Sequence, residues 1–328
     1  MADILSIAIS LIKGINPKDR ISLGFYFSSI EEFEQTSLFE MIQMTRKGIS
    51  HNNPANAELV RRARKIAEDV ERSGARAVSY WDREYPPLLR QMADSPYMLY
   101  VRGTLPKQDR PAVAIVGTRH PTPAGRKAAF SLAAELGLAG LPIISGLAAG
   151  IDAAAHWGTL KTQQQTVAIM GNGIDRVYPS INRELAGRIL QNGGALVSEY
   201  PPYTPASRFR FPERNRIISG MARALVVVQA PEKSGALITA DHALDQNKEV
   251  YVHSAGTYGR RGAGALRLSD EGGMLIVDAK KILDAWRIPM DERLEALQPD
   301  RFSPSQRLEE ELEGRLLRFD GLWYRRVG

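Results

Sequence analysis

The sequence predicts an α/β protein with a doubly wound, mostly parallel sheet. Between residues 112 and 285, short apolar runs rich in valine and isoleucine alternate with helix-like stretches such as "PAGRKAAFSLAAELGLAG". Strands that are apolar along their whole length are typical of a parallel sheet covered by helices on both faces. The 28 glycines suit the tight loops of such a sheet. A Rossmann-like arrangement is therefore expected.

Six short runs are predicted to be the central strands of this sheet. They are residues 113–117, 142–145, 166–170, 195–198, 224–228 and 249–252. Upstream of them, "ARAVSYWDREYPPLLRQMADSPYMLYVRG" predicts a strand, a Tyr-Pro-Pro turn and a second strand. We assign the main domain to residues 76–286.

The 328 residues exceed the usual limit of about 250 for one core, so smaller domains are expected at the ends. Residues 1–75 show helical periodicity in "ILSIAISLI" and in the charged "AELVRRARKIAEDVERSG", which predicts a small helical domain. Residues 287–328 begin as a polar, proline-punctuated linker. The tail "RLEEELEGRLLRFDGLWYRRVG" then predicts one charged helix and a hairpin.

Composition limits the functional classes. Forty-three Lys and Arg against 37 Asp and Glu give a formal charge of +6, which favours a polyanionic partner. The absence of cysteine excludes a thiol nucleophile and a disulfide framework, and it suits a reducing compartment. The apolar start "MADILSIAISLI" lacks a basic leader, and no apolar run approaches the ~20 residues of a membrane span. A cytoplasmic protein without a membrane segment is expected.

Ligands of open α/β sheets bind beyond the carboxyl ends of the strands, so the residues at these ends are the candidate site. Gly146 and Gly150 lie between a strand and a helix, where backbone N–H groups approach anions, and Ser234 with Gly235 opens the next helix in the same way. With Arg119 after the first strand, these turns predict a phosphate site. The alternative is that the glycines only form tight turns.

Several familiar chemistries lack their motifs. There is no Gly-x-Gly-x-x-Gly fingerprint and no Walker loop, which disfavours dinucleotide binding and ATP hydrolysis. No Gly-x-Ser-x-Gly elbow supports a hydrolase. Asp152 and His156 lie one helical turn apart, and we interpret them as structural hydrogen-bonding residues. No metal and no cofactor are predicted.

The stretch "RFRFPERNR" contains four arginines in nine residues. Arg208 and Arg210 alternate with Phe209 and Phe211, a composition typical of a groove for single-stranded nucleic acid and also of an ordinary edge strand. The sequence alone leaves both interpretations open.

A series of motifs carries a resemblance. The strings "YPPLLR", "DSPYMLYVRG", "AIVGTR", "SGLAAGIDAAAH", "GNGIDRVYP", "SEYPP", "FPERNRIISG" and "SGALITADHAL" resemble the DNA-processing protein A (DprA or Smf) family in order and spacing, from about residue 76 to 255. The resemblance implies an extended Rossmann-like fold that binds single-stranded DNA without known catalysis. It also implies that the protein protects incoming DNA and helps load RecA recombinase in natural transformation. The implied partners are single-stranded DNA, a RecA-type recombinase and a second copy of the chain.

The family motifs also imply DNA-binding residues. Arg119 matches a DNA-contacting arginine, Arg176 matches a basic residue before a Tyr-Pro pair, and Arg214 with Arg216 is expected to form a basic wall for phosphates. The alternative for these last two is burial against Glu213 or strand-end carbonyls. The full set of predicted DNA- or phosphate-binding residues is Gly117, Thr118, Arg119, Ser145, Gly146, Gly150, Asn172, Arg176, Arg214, Asn215, Arg216, Ser234 and Gly235.

The sequence departs from the family pattern in places. Gln229 stands where Glu is common, Gly264 stands where Asn is typical, and "VYVHSAG" lacks a Val-Pro-Gly. The departures that fall within residues 253–273 leave dimerisation and the choice of partner open. The tail resembles only the last helix and wing of a winged helix. Two other functions remain: a nucleotide-cleaving enzyme similar to the phosphoribohydrolases, and a nucleotide sensor.

Overall fold

A computed structural model describes residues 3–45, 49–50, 52–107, 109–289, 294–297, 316–319 and 322–326. Its helices, numbered in chain order, are α1 (Ile4–Ser10), α2 (Pro17–Tyr26), α3 (Ile30–Gln35), α4 (Leu38–Met44), α5 (Asn56–Arg72), α6 (Pro87–Arg90), α7 (Pro123–Leu138), α8 (Ile151–Lys161), α9 (Arg183–Gln191), α10 (Arg210–Gly220), α11 (Gly235–Asp245), α12 (Ala263–Asp270) and α13 (Lys280–Trp286). Its strands are β1 (Arg76–Ser79), β2 (Met98–Gly103), β3 (Val113–Val116), β4 (Ile143–Ser145), β5 (Thr166–Met170), β6 (Ala195–Ser198), β7 (Ala224–Val227), β8 (Glu249–His253), β9 (Met274–Ile276), β10 (Leu294–Leu297), β11 (Leu316–Phe319) and β12 (Leu322–Arg326).

The main sheet has nine strands in the order β1-β2-β6-β5-β4-β3-β7-β8-β9. The strands from β6 to β9 pair in parallel, whereas β1 and β2 form an antiparallel edge. From β3 the chain winds outward through β4, β5 and β6, and then returns to β7 on the other side. The α/β, Rossmann-like prediction is confirmed, with a topological switch point between β3 and β7.

Helices cover both faces of the sheet, as the apolar strands require. On one face, Val116, Ile169 and Val227 lie in a buried cluster with residues of α6, α10, α11 and α12. On the other face, Ile115 and Val226 lie in a cluster with residues of α7, α8 and α13. Burial of each of these Val or Ile side chains contributes roughly 1.5–3 kcal/mol to the stability of the fold. The helices packed on the two faces therefore hold the strand ends in fixed positions.

The amino-terminal helices share a core with the sheet. Ile7, Leu23 and Phe33 are buried in the same cluster as Tyr100 and Leu196 of β2 and β6. The N-terminal caps of these short helices match the sequence, since the side chains of Asp3, Asn16, Ser29 and Ser37 each accept a hydrogen bond from a helical backbone N–H. The helices predicted for residues 1–75 are therefore present, while their boundary as a separate domain stays a prediction.

The carboxyl-terminal region differs from the expectation. Leu294–Leu297 was predicted to belong to a linker, but it forms β10, which pairs with β12. Leu316–Phe319 was predicted to be helical, but it forms β11 and pairs antiparallel with β12. Within the predicted hairpin "DGLWYRR", residues 322–326 form the single strand β12, and its partner β11 lies where the end of the charged helix was expected. The rest of that helix lies outside the described residues.

No helix in the described part of the chain has the length and apolar composition that crossing a bilayer requires.

Candidate functional site

A pocket of about 610 Å³ opens at the carboxyl edge of the sheet, at the switch point between β3 and β7. The loops after these two strands form two of its sides, and the first turns of α10 and α11 form much of the rest. Of the predicted site residues, it is lined by Gly117, Thr118, Arg119, Arg214, Asn215, Ser234 and Gly235. This is the position at which open α/β sheets bind ligands.

The loop that carries Arg119 is held by backbone contacts. The Thr118 N–H donates to the Gln229 carbonyl at 2.7 Å, and the Thr118 carbonyl accepts from Ile151 N–H at 3.2 Å. Gly150 has φ +87°, and a Cβ there would lie 2.7 Å from the carbonyl carbon of Arg119. Gly150 is therefore needed for the close approach of α8 to this loop, and it lies behind the pocket rather than in its lining.

Gln229 fixes the far end of the same loop. Its side-chain oxygen accepts a hydrogen bond from Thr122 N–H at 2.8 Å, and its amide nitrogen donates to Thr122 Oγ1 at 3.2 Å. The side chain is buried, and Gly125 leaves room for it, since a Cβ at Gly125 would lie 2.6 Å from the Gln229 oxygen. Sequence reasoning noted Gln229 only as a departure from the family pattern, because its partner lies more than a hundred residues away.

An aromatic pair forms one wall of the pocket. The rings of Tyr178 and Phe211 lie 5.5 Å apart at an interplanar angle of 30°. The Arg119 guanidinium lies 5.7 Å from the centre of the Phe211 ring, and Tyr178 is half exposed. Aromatic faces beside a guanidinium are the surfaces on which nucleic-acid bases stack.

Three exposed cations surround this wall: Arg119, Arg208 and Lys233 all line the pocket. None of them forms an ion pair with any residue that the structure describes. Their charges are therefore available to an anionic ligand. Arg208 and Lys233 were not among the predicted site residues, although the arginine-rich stretch that includes Arg208 was a signal for it.

The amino terminus of α11 faces the pocket. Ser234 caps the helix by accepting a hydrogen bond from Ala236 N–H at 3.2 Å, and Asn215 donates to the Gly235 carbonyl at 3.0 Å. A Cβ at Gly235 would meet no atom within 4 Å, so the space above this residue is open. The helix dipole adds partial positive charge at this end of the pocket.

Arg214 lies in the floor of the pocket, with 5% of its surface exposed. Its guanidinium donates to the Gly146 carbonyl at 2.7 Å and to the Ile169 carbonyl. Burial lowers the pKa of Arg214 to about 10, opposed by the nearby carboxylate of Asp152. Burial also raises the pKa of Asp152 to about 6, while Arg214 and backbone N–H groups lower it. At neutral pH the two therefore carry opposite charges and stabilise one another.

Arg216 points away from the pocket. It pairs with Glu199 at 2.7 Å and with Asp94 at 3.5 Å, and its side chain is only 13% exposed. With Arg214 buried as well, these two arginines do not form the basic wall that the sequence predicted. The alternative of burial describes them better: strand-end carbonyls hold Arg214, and carboxylates hold Arg216.

Other predicted residues also turn inward. The Gly146 N–H, expected to face a phosphate, donates to Asp152 at 3.1 Å. The Ser145 hydroxyl donates to the Ile115 carbonyl at 2.6 Å, and the buried Asn172 amide donates to the Arg176 carbonyl at 2.5 Å. These three residues build the loops behind the pocket. Arg176 is exposed, but it is not part of the pocket lining.

Asp152 and His156 do not contact one another as a catalytic or metal-binding pair would. Asp152 accepts hydrogen bonds from backbone N–H groups, and His156 Nδ1 lies 2.7 Å from Thr166 Oγ1. Burial lowers the pKa of His156 to about 3, so this imidazole is neutral. Within the described residues, no group of three or more His, Asp or Glu side chains is arranged to hold a metal.

Comparison with known proteins identifies the family. The family model described as DNA recombination-mediator protein A matches residues 76–287. The chain belongs to this family. The Smf protein of Synechocystis is 34% identical over 288 residues, which cover 84% of this chain and 71% of the relative. The DNA processing protein DprA of Bacillus subtilis is 36% identical over 222 residues, covering 67% of this chain and 74% of the relative.

Solved structures of the family agree with the fold. The X-ray structure of DprA from Streptococcus pneumoniae has a TM-score of 0.71 at 28% identity, and the match covers 87% of this chain and 98% of the other. DprA from Helicobacter pylori, solved to explain its single-stranded DNA binding mode, has a TM-score of 0.57 at 27% identity, covering 66% and 97%. As a DprA-family member, this protein is a DNA-binding recombination mediator.

Proposed function

We propose that this DprA-family protein binds single-stranded DNA in the pocket at the switch point, without catalysing a reaction. The proposal depends on the aromatic wall of Tyr178 and Phe211 together with three exposed cations. These cations, Arg119, Arg208 and Lys233, pair with no carboxylate of the described residues. A basic groove with stacking surfaces is the usual solution for binding single strands.

Each component has a defined role in this proposal. The guanidinium forks of Arg119 and Arg208 grip phosphate oxygens, and Lys233 supplies a third positive charge. Backbone N–H groups at the open amino terminus of α11, at Ser234 and Gly235, donate to a further phosphate oxygen. Bases stack on the Tyr178–Phe211 wall, and every base has a face that can do so. Binding is therefore tolerant of sequence.

The proposal predicts how affinity depends on salt. Each phosphate contact to a single strand contributes roughly −0.7 to the slope of log K against log salt concentration, so the three cations of the pocket give a slope of about −2 for an oligonucleotide short enough to fill the pocket alone. Fluorescence anisotropy of a labelled oligo-dT across a salt series measures this slope. We also expect weaker binding to a duplex of the same length, because paired bases cannot stack on the wall.

The contradicting result is an absence of oligonucleotide binding even at low salt. A nucleotide enzyme or a nucleotide sensor would then replace the proposal. Release of free base from nucleoside monophosphates would support the enzyme. A thermal shift with free nucleotides but none with oligonucleotides would support the sensor. The lining weighs against the enzyme, because its carboxylate, Asp152, is buried and accepts hydrogen bonds from backbone N–H groups.

The proposal extends to partners. We infer that the protein delivers the strand to a RecA-type recombinase in the cytoplasm, and that natural transformation is the setting. Stimulation of the recombinase's strand-dependent ATP hydrolysis tests the first step.

We also infer a homodimer, supported by the exposed Leu244 and Leu266 on the contacting helices α11 and α12. Light scattering that gave the mass of a single chain would contradict this part.

A further inference from the structure

One basic segment at the carboxyl edge has no role in the pocket. Residues 257–262, "TYGRRG", follow β8, and we call them the β8 loop. Tyr258 is 76% exposed, and Arg260 and Arg261 are also exposed. Arg260 and Arg261 form no ion pair within the described residues, so the loop presents two uncompensated charges beside an aromatic ring.

The β8 loop and the start of α12, which follows it, adjoin the pocket. The Arg261 guanidinium donates to the carbonyl of Pro121 at 3.5 Å, and Pro121 follows His120, which lines the pocket. Just after the loop, in the first turn of α12, a Cβ at Gly264 would lie 2.5 Å from the carbonyl of Pro231, another lining residue. The loop is therefore continuous with the pocket rim, next to the loops that carry Arg119 and Lys233.

The loop is also held firmly. Gly256 packs against the Val228 carbonyl so closely that a Cβ would clash with it, and a Cβ at Gly262 would lie 2.7 Å from Tyr258 N. The Gly262 N–H donates to the Gly259 carbonyl at 3.0 Å, and Gly259 has φ +65°. A loop fixed by such contacts loses little conformational freedom when a ligand binds to it.

We propose that the β8 loop is a second phosphate-binding site, over which a single strand continues after it leaves the pocket. This inference rests on the proposed function. Arg260 and Arg261 bind successive phosphates, and Tyr258 offers a face to a base, the same chemistry as in the pocket. The protein then contacts more nucleotides of the strand than the pocket alone can bind.

The charge of the loop favours nucleic acid over a second copy of the chain as its partner. If a twofold axis passed through this loop, Arg260 and Arg261 would face the same two arginines of the second copy. Residues 257–262 contain no acidic side chain to offset that repulsion.

The test compares oligonucleotide lengths. Wild type and Arg260→Ala/Arg261→Ala are titrated with labelled oligo-dT of about 5 and about 20 nucleotides. For the long oligonucleotide, we expect the double variant to lose about tenfold in affinity and its salt slope to become shallower by about 1.4. For the short one, which fills the pocket alone, we expect the two proteins to bind equally.

Two further variants sharpen the test. Arg64→Ala/Lys65→Ala removes the same charge from exposed positions on α5, and its affinity is expected to stay within about twofold of wild type at both lengths. Arg260→Ala alone keeps the hydrogen bond of Arg261 to Pro121, and it is expected to lose about threefold for the long oligonucleotide only.

Each other outcome overturns a different claim. If wild type binds neither oligonucleotide, the proposed function fails, and the second site fails with it. Two results with a wild type that binds both oligonucleotides would refute the second site only. In one, the double variant keeps wild-type affinity at both lengths; in the other, it loses affinity equally at both lengths. A change of oligomeric state in the double variant, measured by light scattering, would assign the loop to contact between copies instead.

Discussion

Replacing Arg119 and Arg208 together by alanine is expected to lower the affinity for oligo-dT about hundredfold. Both side chains are exposed at the pocket, and neither pairs with a carboxylate of the described residues. A hydrogen bond to a charged group contributes about 1.5 kcal/mol or more, and each 1.4 kcal/mol is tenfold in affinity. Fluorescence anisotropy at one fixed salt concentration measures the loss.

The control for this pair is again Arg64→Ala/Lys65→Ala on α5, which changes the net charge equally at residues outside the pocket lining. If the Arg119→Ala/Arg208→Ala protein binds within about twofold of wild type, the strand does not use this pocket. If the control loses as much as the pocket variant, affinity follows the overall charge of +6 rather than a site.

Arg214→Ala is expected to destabilise the fold by about 3 kcal/mol, because it leaves Asp152 as an unpaired charge in the interior. It also removes the donor to the Gly146 and Ile169 carbonyls. Urea unfolding followed by circular dichroism measures the change in the free energy of unfolding.

Arg119→Ala is the matched control for this second prediction, since Arg119 lines the same pocket but is exposed. Its free energy of unfolding is expected to stay within about 0.5 kcal/mol of wild type. The prediction is wrong if Arg214→Ala unfolds at the wild-type urea concentration and loses only DNA affinity. That result would make Arg214 a contact for the strand rather than a support beneath it.

The sequence predicted the central sheet well because its strands are short, apolar runs between helices. The observed strands from β3 to β8 begin and end within one residue of the predicted limits. Met274–Ile276 was missed, because the apolar run "MLIV" is only four residues long, the lower limit for a strand signal. The strand β11 was missed because "RLLRF" continues a helical pattern, and only its pairing with β12 makes it a strand.

The candidate site was predicted less completely, for a physical reason. From the alternation of arginine and phenylalanine at residues 208–211, an ordinary edge strand was one of two possible interpretations. In the structure, α10 begins at Arg210 and places Phe211 in the pocket lining. Arg119 was named from its position directly after a strand, and it lines the pocket, whereas Gly146 and Gly150 lie behind the pocket.

Long-range contacts explain what the sequence did not reveal. The partners of Arg214, at Gly146 and Ile169, lie 68 and 45 residues away along the chain. Arg216 likewise finds Glu199 and Asp94 through the packing of α10. The sequence of a basic stretch does not show which of its arginines is buried. Only the fold distinguishes Arg208, which is exposed at the pocket, from Arg214, which is buried in the pocket floor.

The most direct test of the central claim is to locate the bound strand by photocrosslinking. An oligo-dT carrying photoreactive pyrimidines is bound to the wild-type protein and irradiated, and the crosslinked peptides are identified by mass spectrometry. The account predicts crosslinks in the peptides that contain Tyr178 and Phe211, where bases stack on the aromatic wall. Crosslinks confined to the amino-terminal helices or to β10–β12, with none at the pocket, would contradict it.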